Sequence, residues 1–151
     1  MSVKLQGSYT HKLDSKGRMV LPSRFREELG QNVVASYCIH IPTVTIDRCV
    51  AVYPMDEWES LLAKLDEMPS ENDDMRYLGK VLLGNASEQE VDSAGRITVP
   101  QPLRNSVKIV NDVIISGQRN HLEIWDSSTW NSFNSDELSK YMVDKWRKDG
   151  P

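Results

Sequence analysis

The sequence predicts an α+β fold, mainly β, built from two tandem pseudo-repeats with flanking helices. Three observations carry this. The chain states one segment twice: residues 13–22 read Leu-Asp-Ser-Lys-Gly-Arg-Met-Val-Leu-Pro, and residues 91–100 read Val-Asp-Ser-Ala-Gly-Arg-Ile-Thr-Val-Pro. Short apolar runs bounded by turn residues follow each copy, which is how strands read. Apolar residues at helical spacing fill the stretch between the copies. A duplication of this kind means two copies of one supersecondary unit.

The copies align in detail. Asp14, Ser15, Gly17, Arg18, Pro22 and Arg26 recur 78 residues on as Asp92, Ser93, Gly95, Arg96, Pro100 and Arg104. Leu13, Met19, Leu21 and Phe25 face the apolar Val91, Ile97, Val99 and Leu103. Ser8 to Leu13 is expected as a strand, then a tight turn, then a strand from Arg18 to Leu21. Asp14 can bond amides inside the turn, and Gly17 takes a left-handed position cheaply, as Asp92 and Gly95 can in the second copy. Such a turn joins a short hairpin. Pro22 ends the strand, and Ser23 to Gly30 reads as a helix with glycine at its end. Tyr37 to Ile41 and Cys49 to Tyr53 read as further strands. The second copy repeats the order, with Asp112 to Ser116 and His121 to Trp125 as its later strands. Val50, Val52, Tyr53 and Trp58 align with Leu122, Ile124, Trp125 and Trp130 at an offset of 72, so the first copy holds six extra residues, expected around Pro42 to Arg48.

Trp58, Leu61, Leu62 and Leu65 mark one face of a helix. Ser70 with Asp73 resembles a capping pair opening a second helix, with Met75, Leu78 and Leu82 on one face and Gly84 at its end. The tail around Ser135 to Trp146 is expected to be helical. The expected organisation is a first repeat over 7–54, a helical connection over 55–84, a second repeat over 85–127 and a helical tail over 128–151. No low-complexity linker separates the halves, so they are expected to share one core.

A chain of 151 residues with 39% hydrophobic and 26% charged residues has the composition of a soluble globular domain. Its longest apolar run, Cys49 to Tyr53, is too short to span a membrane, and the N-terminus carries no apolar signal segment. Cys38 and Cys49 lack CxxC spacing and are expected as reduced thiols, which suits a cytoplasmic protein. The net charge of −4 is unevenly spread. Residues 1–30 carry +3 and residues 91–121 carry +2, whereas 31–70, 71–90 and 122–151 carry −4, −3 and −2. Positive charge therefore sits on the repeats, where local basic surface matters more for phosphate binding than the sum does.

Exposed cations at a hairpin tip suit contact with a polyanion. Arg18 can fork onto guanine O6 and N7 in the major groove, which admits a two-stranded ribbon. Lys16 reads as a phosphate contact. Arg96 would act alike at the second tip, where Ala94 replaces the lysine. Arg24 and Arg26 could extend the patch. The plainer readings stand beside these: Asp14 and Arg18 can simply pair across the turn, and Arg24 and Arg26 can line a solvated helix face. No other chemistry is indicated. His11, His40 and His121 have no metal-ligand spacing, no glycine-rich phosphate loop is present, and nothing groups Ser, His and Asp as a triad. No metal, cofactor or small-molecule ligand is expected, and no enzyme activity. The four tryptophans read as core or interface residues.

The duplicated Asp-Ser-(Lys/Ala)-Gly-Arg turn, Tyr53-Pro54 with Trp58, Leu82 to Glu88, and Glu123-Ile124-Trp125-Asp126 resemble the MraZ family over roughly residues 5 to 130. The resemblance implies a bacterial transcriptional regulator related to AbrB and SpoVT DNA-binding domains. It implies a swapped-hairpin β-barrel formed by the two tandem copies in one chain. It further implies ring-shaped homo-oligomers, associated with the nucleoid, that grip short G-rich direct repeats of double-stranded DNA. The expected target is the promoter of the division and cell-wall gene cluster, often the protein's own, with repression as the expected outcome. The family's DNA-contacting arginine falls on Arg18, with Lys16 beside it, and Arg96 matches in the second copy. Two other classes compete. AbrB-like barrels also serve as antitoxins or protein-interaction modules, usually with one copy and a disordered tail. A self-processing decarboxylase would use a pair such as Gly7-Ser8, which has no supporting site here.

Overall fold

The structure, a computed structural model, describes residues 5–40, 45–68 and 73–143. The expected cap at Ser70, residues 42–44 of the first copy's excess and residues 144–146 of the tail helix lie outside the described residues. In chain order the elements are β1 (Leu5–Lys12), β2 (Arg18–Val20), α1 (Ser23–Leu29), β3 (Asn32–His40), β4 (Thr45–Pro54), α2 (Met55–Asp66) and α3 (Asp73–Gly84). They continue with β5 (Ser87–Glu90), β6 (Arg96–Thr98), α4 (Gln101–Ser106), β7 (Asp112–Arg119), β8 (Leu122–Asp126) and α5 (Ser127–Tyr141). The fold is mixed α and β with antiparallel pairing throughout the described ladders. Helices cover about as many residues as strands, so the expected weighting toward β is not found.

Six strands form one sheet in the order β1-β7-β8-β4-β3-β5, and β2 pairs with β6 in a separate ribbon. The halves exchange strands. β1 of the first copy pairs with β7 of the second, and β5 of the second pairs with β3 of the first. This corrects the simple hairpin expected around Asp14. The turn forms, with Gly17 N donating to Asp14 O at 3.0 Å and Asp14 N to Arg18 O at 2.9 Å. Beyond it the two strands part, because each finds its ladder partner in the other half.

The ribbon register is itself symmetric: Arg18 faces Thr98, Met19 faces Ile97 and Val20 faces Arg96. Leu21 N donates to Gly95 O and Val99 N to Gly17 O, extending it by one bond at each end. Register also refines the alignment of the copies. Asn32 pairs with Glu90 where Asp112 pairs with Lys12, so β3 and β7 are offset by 80. The second copy is thus two residues longer before that strand, and the first is eight longer in the β3–β4 connection. Thr45 and Ile46 extend that hairpin beyond a register shift between Tyr37 and Ile39.

Period-two alternation buries both faces of the central strands. Val33, Ala35, Val50, Val52, Val113, Ile115, Leu122 and Ile124 pack with Met19, Ile97, Phe25 and Leu103 from the ribbon, α1 and α4. Val34, Cys38, Cys49, Ala51, Tyr53 and Trp125 face the other way, against Trp58 and Leu82 of α2 and α3, with Trp130 and Phe133 of α5 packed alongside. The helix Ser127–Tyr141 starts eight residues ahead of the expected Ser135, because Asp126 caps it by accepting from Ser128 N at 3.3 Å. No described helix is long and apolar enough to cross a membrane.

Candidate nucleic-acid interface

Each turn is built around one carboxylate. Asp14 Oδ1 accepts from Lys16 N and Arg18 N, both at 2.9 Å, and its Oδ2 accepts from Arg18 Nε at 2.7 Å. Asp92 repeats the set: Oδ1 accepts from Ala94 N at 2.9 Å and Arg96 N at 2.8 Å, and Oδ2 from Arg96 Nε at 2.9 Å. The Arg18 amide, followed by its guanidinium and the Lys16 amide, holds the Asp14 carboxyl at about 2, below the usual 3.8. Asp92 is lowered for the same reasons. Both carboxylates therefore stay charged at neutral pH.

The pair expected across the turn forms, and its geometry leaves something over. The carboxylate takes Nε. Among the described residues the Nη atoms of Arg18 have no hydrogen-bond partner, and the side chain is 34% exposed. Arg96 is held alike and is 35% exposed. An Nε-anchored guanidinium is fixed in orientation while its other edge stays open, an arrangement matched to bidentate acceptors. The Lys16 side chain is exposed.

The ribbon joins the tips. Arg18, Val20, Arg96 and Thr98 share its outer face, while Met19 and Ile97 are buried beneath. Gly17 and Gly95 lie at its opposite ends. Four residues of strand rise plus one interstrand step put them roughly 14 Å apart.

Arg26 departs from the open helix face expected of it. It is half-buried over Gly95 of the other copy, with Nη2 donating to Ser23 Oγ at 3.4 Å. Arg104 lies in the equivalent place over Gly17, and its Nε donates to Val99 O at 2.9 Å. A Cβ on either glycine would strike the opposing arginine, and on Gly17 it would also meet Val99 O at 2.8 Å. Each tip is thus completed by an arginine from the other half. Arg104 was visible as the match of Arg26, yet only the exchange of strands reveals that it reaches the first tip. Arg24 is exposed on α1, away from these contacts.

Comparison with known proteins places this geometry in a family. The family model described as "MraZ protein, putative antitoxin-like" matches residues 5–81 and again 82–145. A "Transcriptional regulator MraZ" of Alkaliphilus metalliredigens is 40% identical over 135 residues, covering 89% of this chain and 90% of that one. A protein of the same name from Acetivibrio thermocellus is 39% identical over 131 residues, 87% of each chain. One from Pseudomonas putida is 38% identical over 134 residues, 89% of this chain and 87% of its own. The name these relatives carry describes a non-enzymatic role, in keeping with the absence of catalytic motifs in the sequence. With tandem matches across nearly its whole length and relatives at this identity, the chain belongs to the MraZ family.

Proposed function

We propose that this protein is a DNA-binding transcriptional regulator that reads double-stranded DNA with its two Asp-Arg turns. The observation that carries this is the Nε anchoring of Arg18 and Arg96, which leaves a fixed guanidinium edge at each end of one ribbon. Arg18 reads a guanine and Lys16 neutralises a phosphate beside it. Arg96 does the same from the second tip with less phosphate contact, since Ala94 has no charge. At 3.4 Å per base pair, tips roughly 14 Å apart span about four base pairs. Arg24 and the clamping Arg26 add positive potential.

The finer reading follows the family resemblance. The two repeats, 7–54 and 85–127, close a swapped-hairpin barrel, and protomers assemble into a nucleoid-associated ring in the cytoplasm. One tip offers few contacts and binds weakly. A ring over short G-rich direct repeats engages several tips at once and gains avidity without new contacts. Repression of the division and cell-wall gene cluster, including the protein's own promoter, is the regulatory outcome.

Fluorescence anisotropy with labelled repeat DNA and scrambled DNA, at two salt concentrations, tests this. Wild type binds the repeats preferentially, with affinity falling steeply as salt rises. Arg18→Ala loses about 1–3 kcal/mol per engaged protomer. The second reading, a protein-interaction module, is favoured by the "antitoxin-like" wording of the family description. It requires that Arg18→Ala leave DNA binding unchanged, or that wild type bind no DNA at either salt.

A further inference from the structure

We propose that Cys38, His121 and Glu123 form a binding site for a divalent transition metal of the Zn²⁺ class, joining the two halves of the chain. Cys38 Sγ lies 3.3 Å from Glu123 Oε2 and 3.9 Å from His121 Nε2, and those two atoms lie 3.0 Å apart. Bonds of 2.0–2.3 Å to a tetrahedral metal place its ligand atoms roughly 3.3–3.6 Å from one another, so the three atoms already outline one face of the polyhedron. Thiolate, imidazole and carboxylate together suit zinc, whereas magnesium and calcium take oxygen.

The surroundings of the three side chains fit that use. Asn120 Oδ1 lies 2.8 Å from His121 Nδ1. An amide oxygen can only accept, so Nδ1 carries a proton and Nε2 is the ring nitrogen turned to the site. Glu123 Oε1 accepts from Trp125 Nε1 at 3.0 Å, which leaves Oε2 facing the sulfur. Outer partners of this kind orient metal ligands. Cys49 is also buried and lies outside the three-atom group. Cys38 and Glu123 are buried, while the His121 side chain is 17% exposed and forms the mouth.

Backbone irregularities converge here too. Cys38 stands at the register shift of β3, and the β7–β8 turn that delivers His121 holds Arg119 at φ 75°. Bulges beside functional sites re-aim side chains, and left-handed non-glycine residues persist where surroundings enforce them. The cluster also breaks the pseudo-symmetry. Ser36 pairs with Ala51 as Ser116 pairs with Glu123, so Ala51 occupies the place of Glu123 and Gln118 that of Cys38. The donors therefore do not follow from the duplication.

Binding expels the Cys38 thiol proton, and the His121 proton at Nε2 where the ring carries one, and leaves the fourth position to water. Cys38 comes from the first half and His121 and Glu123 from the second, so the metal adds a link across β4.

Co²⁺ titration of the full-length, reduced, chelator-stripped protein tests the site. The expected result is saturation at one Co²⁺ per chain, with a thiolate-to-metal charge-transfer band, tetrahedral visible bands and loss of both on adding Zn²⁺. Cys38→Ser removes the charge-transfer band. Asn120→Ala changes an exposed residue that touches no ligand except His121, and it weakens Co²⁺ binding about 10–100-fold with the circular dichroism unchanged. Wild-type protein that takes up no stoichiometric Co²⁺ or Zn²⁺ overturns the proposal. So does a cobalt spectrum without a thiolate band, or a folded Asn120→Ala variant with wild-type affinity.

Discussion

At the scale of single residues, Asp14 and Gly17 set the shape of the turn, and each makes its own prediction. Gly17 and Gly30 share a φ of +79°, yet a Cβ at Gly30 meets nothing within 4 Å, whereas at Gly17 it meets Val99 O and the Arg104 guanidinium at 2.8 Å. Gly30 has ψ −171°, a region kept almost to glycine, so Gly30→Ala pays backbone strain alone, about 1–3 kcal/mol, whereas Gly17→Ala adds a clash against backbone to its positive-φ strain. Urea unfolding of Gly17→Ala should show a loss larger than about 3 kcal/mol, beyond backbone strain alone; a smaller loss would mean that the turn does not pack on the other half. Asp14 carries the pH dependence. Its folded pKa of about 2 lies below the ordinary 3.8, so the stability it contributes is present above pH 3.8 and is lost as pH falls from there toward 2. Side-chain carboxyl NMR should give Asp14 a midpoint near 2, and a midpoint near 3.8 would show that the amides do not point at it. Both residues were legible in the sequence as turn-makers. The cluster of Cys38, His121 and Glu123 was not, because Cys38 lies 83 and 85 positions from His121 and Glu123 and only the sheet order brings them together.

At the scale of elements, the β2–β6 ribbon is three residues a side and depends on its central pair. Met19 and Ile97 are each 2% exposed and pack into the core shared with α1 and α4. Truncating either to alanine leaves a cavity and should cost about 2–5 kcal/mol in chemical denaturation. Similar losses from the two variants are expected, since the register makes them equivalents. A loss from one alone would mean that the two halves do not share this core evenly. The same ribbon shows where local reading stops. The Asp-x-x-Gly-Arg pattern specifies the turn, which depends on neighbours in sequence, but not the ladder partner, which depends on buried area contributed by the other copy. Ser87–Glu90 shows the complement. Ser-Glu-Gln-Glu has no apolar alternation to mark it as a strand, and the repeat was its one signal. It pairs with β3 at the sheet edge and buries little, so composition left no trace. The early start of α5 went unread because Ser127 to Asn131 has weak helix propensity, and the Asp126 cap that sets it reads equally well as the end of a strand.

At the scale of the whole molecule, strand exchange decides how the chain can fold. β1 has its partner β7 in the second half, β5 has β3 in the first, and each ribbon strand has its partner in the other copy. Arg26 and Arg104 close opposite turns. A half on its own would therefore expose both the apolar face that its mate covers and the unpaired backbone of strands whose ladders it cannot complete. Full-length protein should unfold in one cooperative transition, with the same midpoint by near-ultraviolet and far-ultraviolet circular dichroism. Residues 1–84 and 85–151 expressed apart should each lack fixed tertiary structure as monomers. Because the two exchanges are near copies of each other, a half has one escape, which is to pair with a second copy of itself and supply the missing ladder in trans. Sedimentation would then find dimers wherever circular dichroism finds folded half-chains. A half-chain that is folded and monomeric would contradict the exchange directly, since its edge strand and ribbon strand would have to be stable with no partner. Co-refolding the two halves should restore the native spectrum, because the interface between them is the core of the protein.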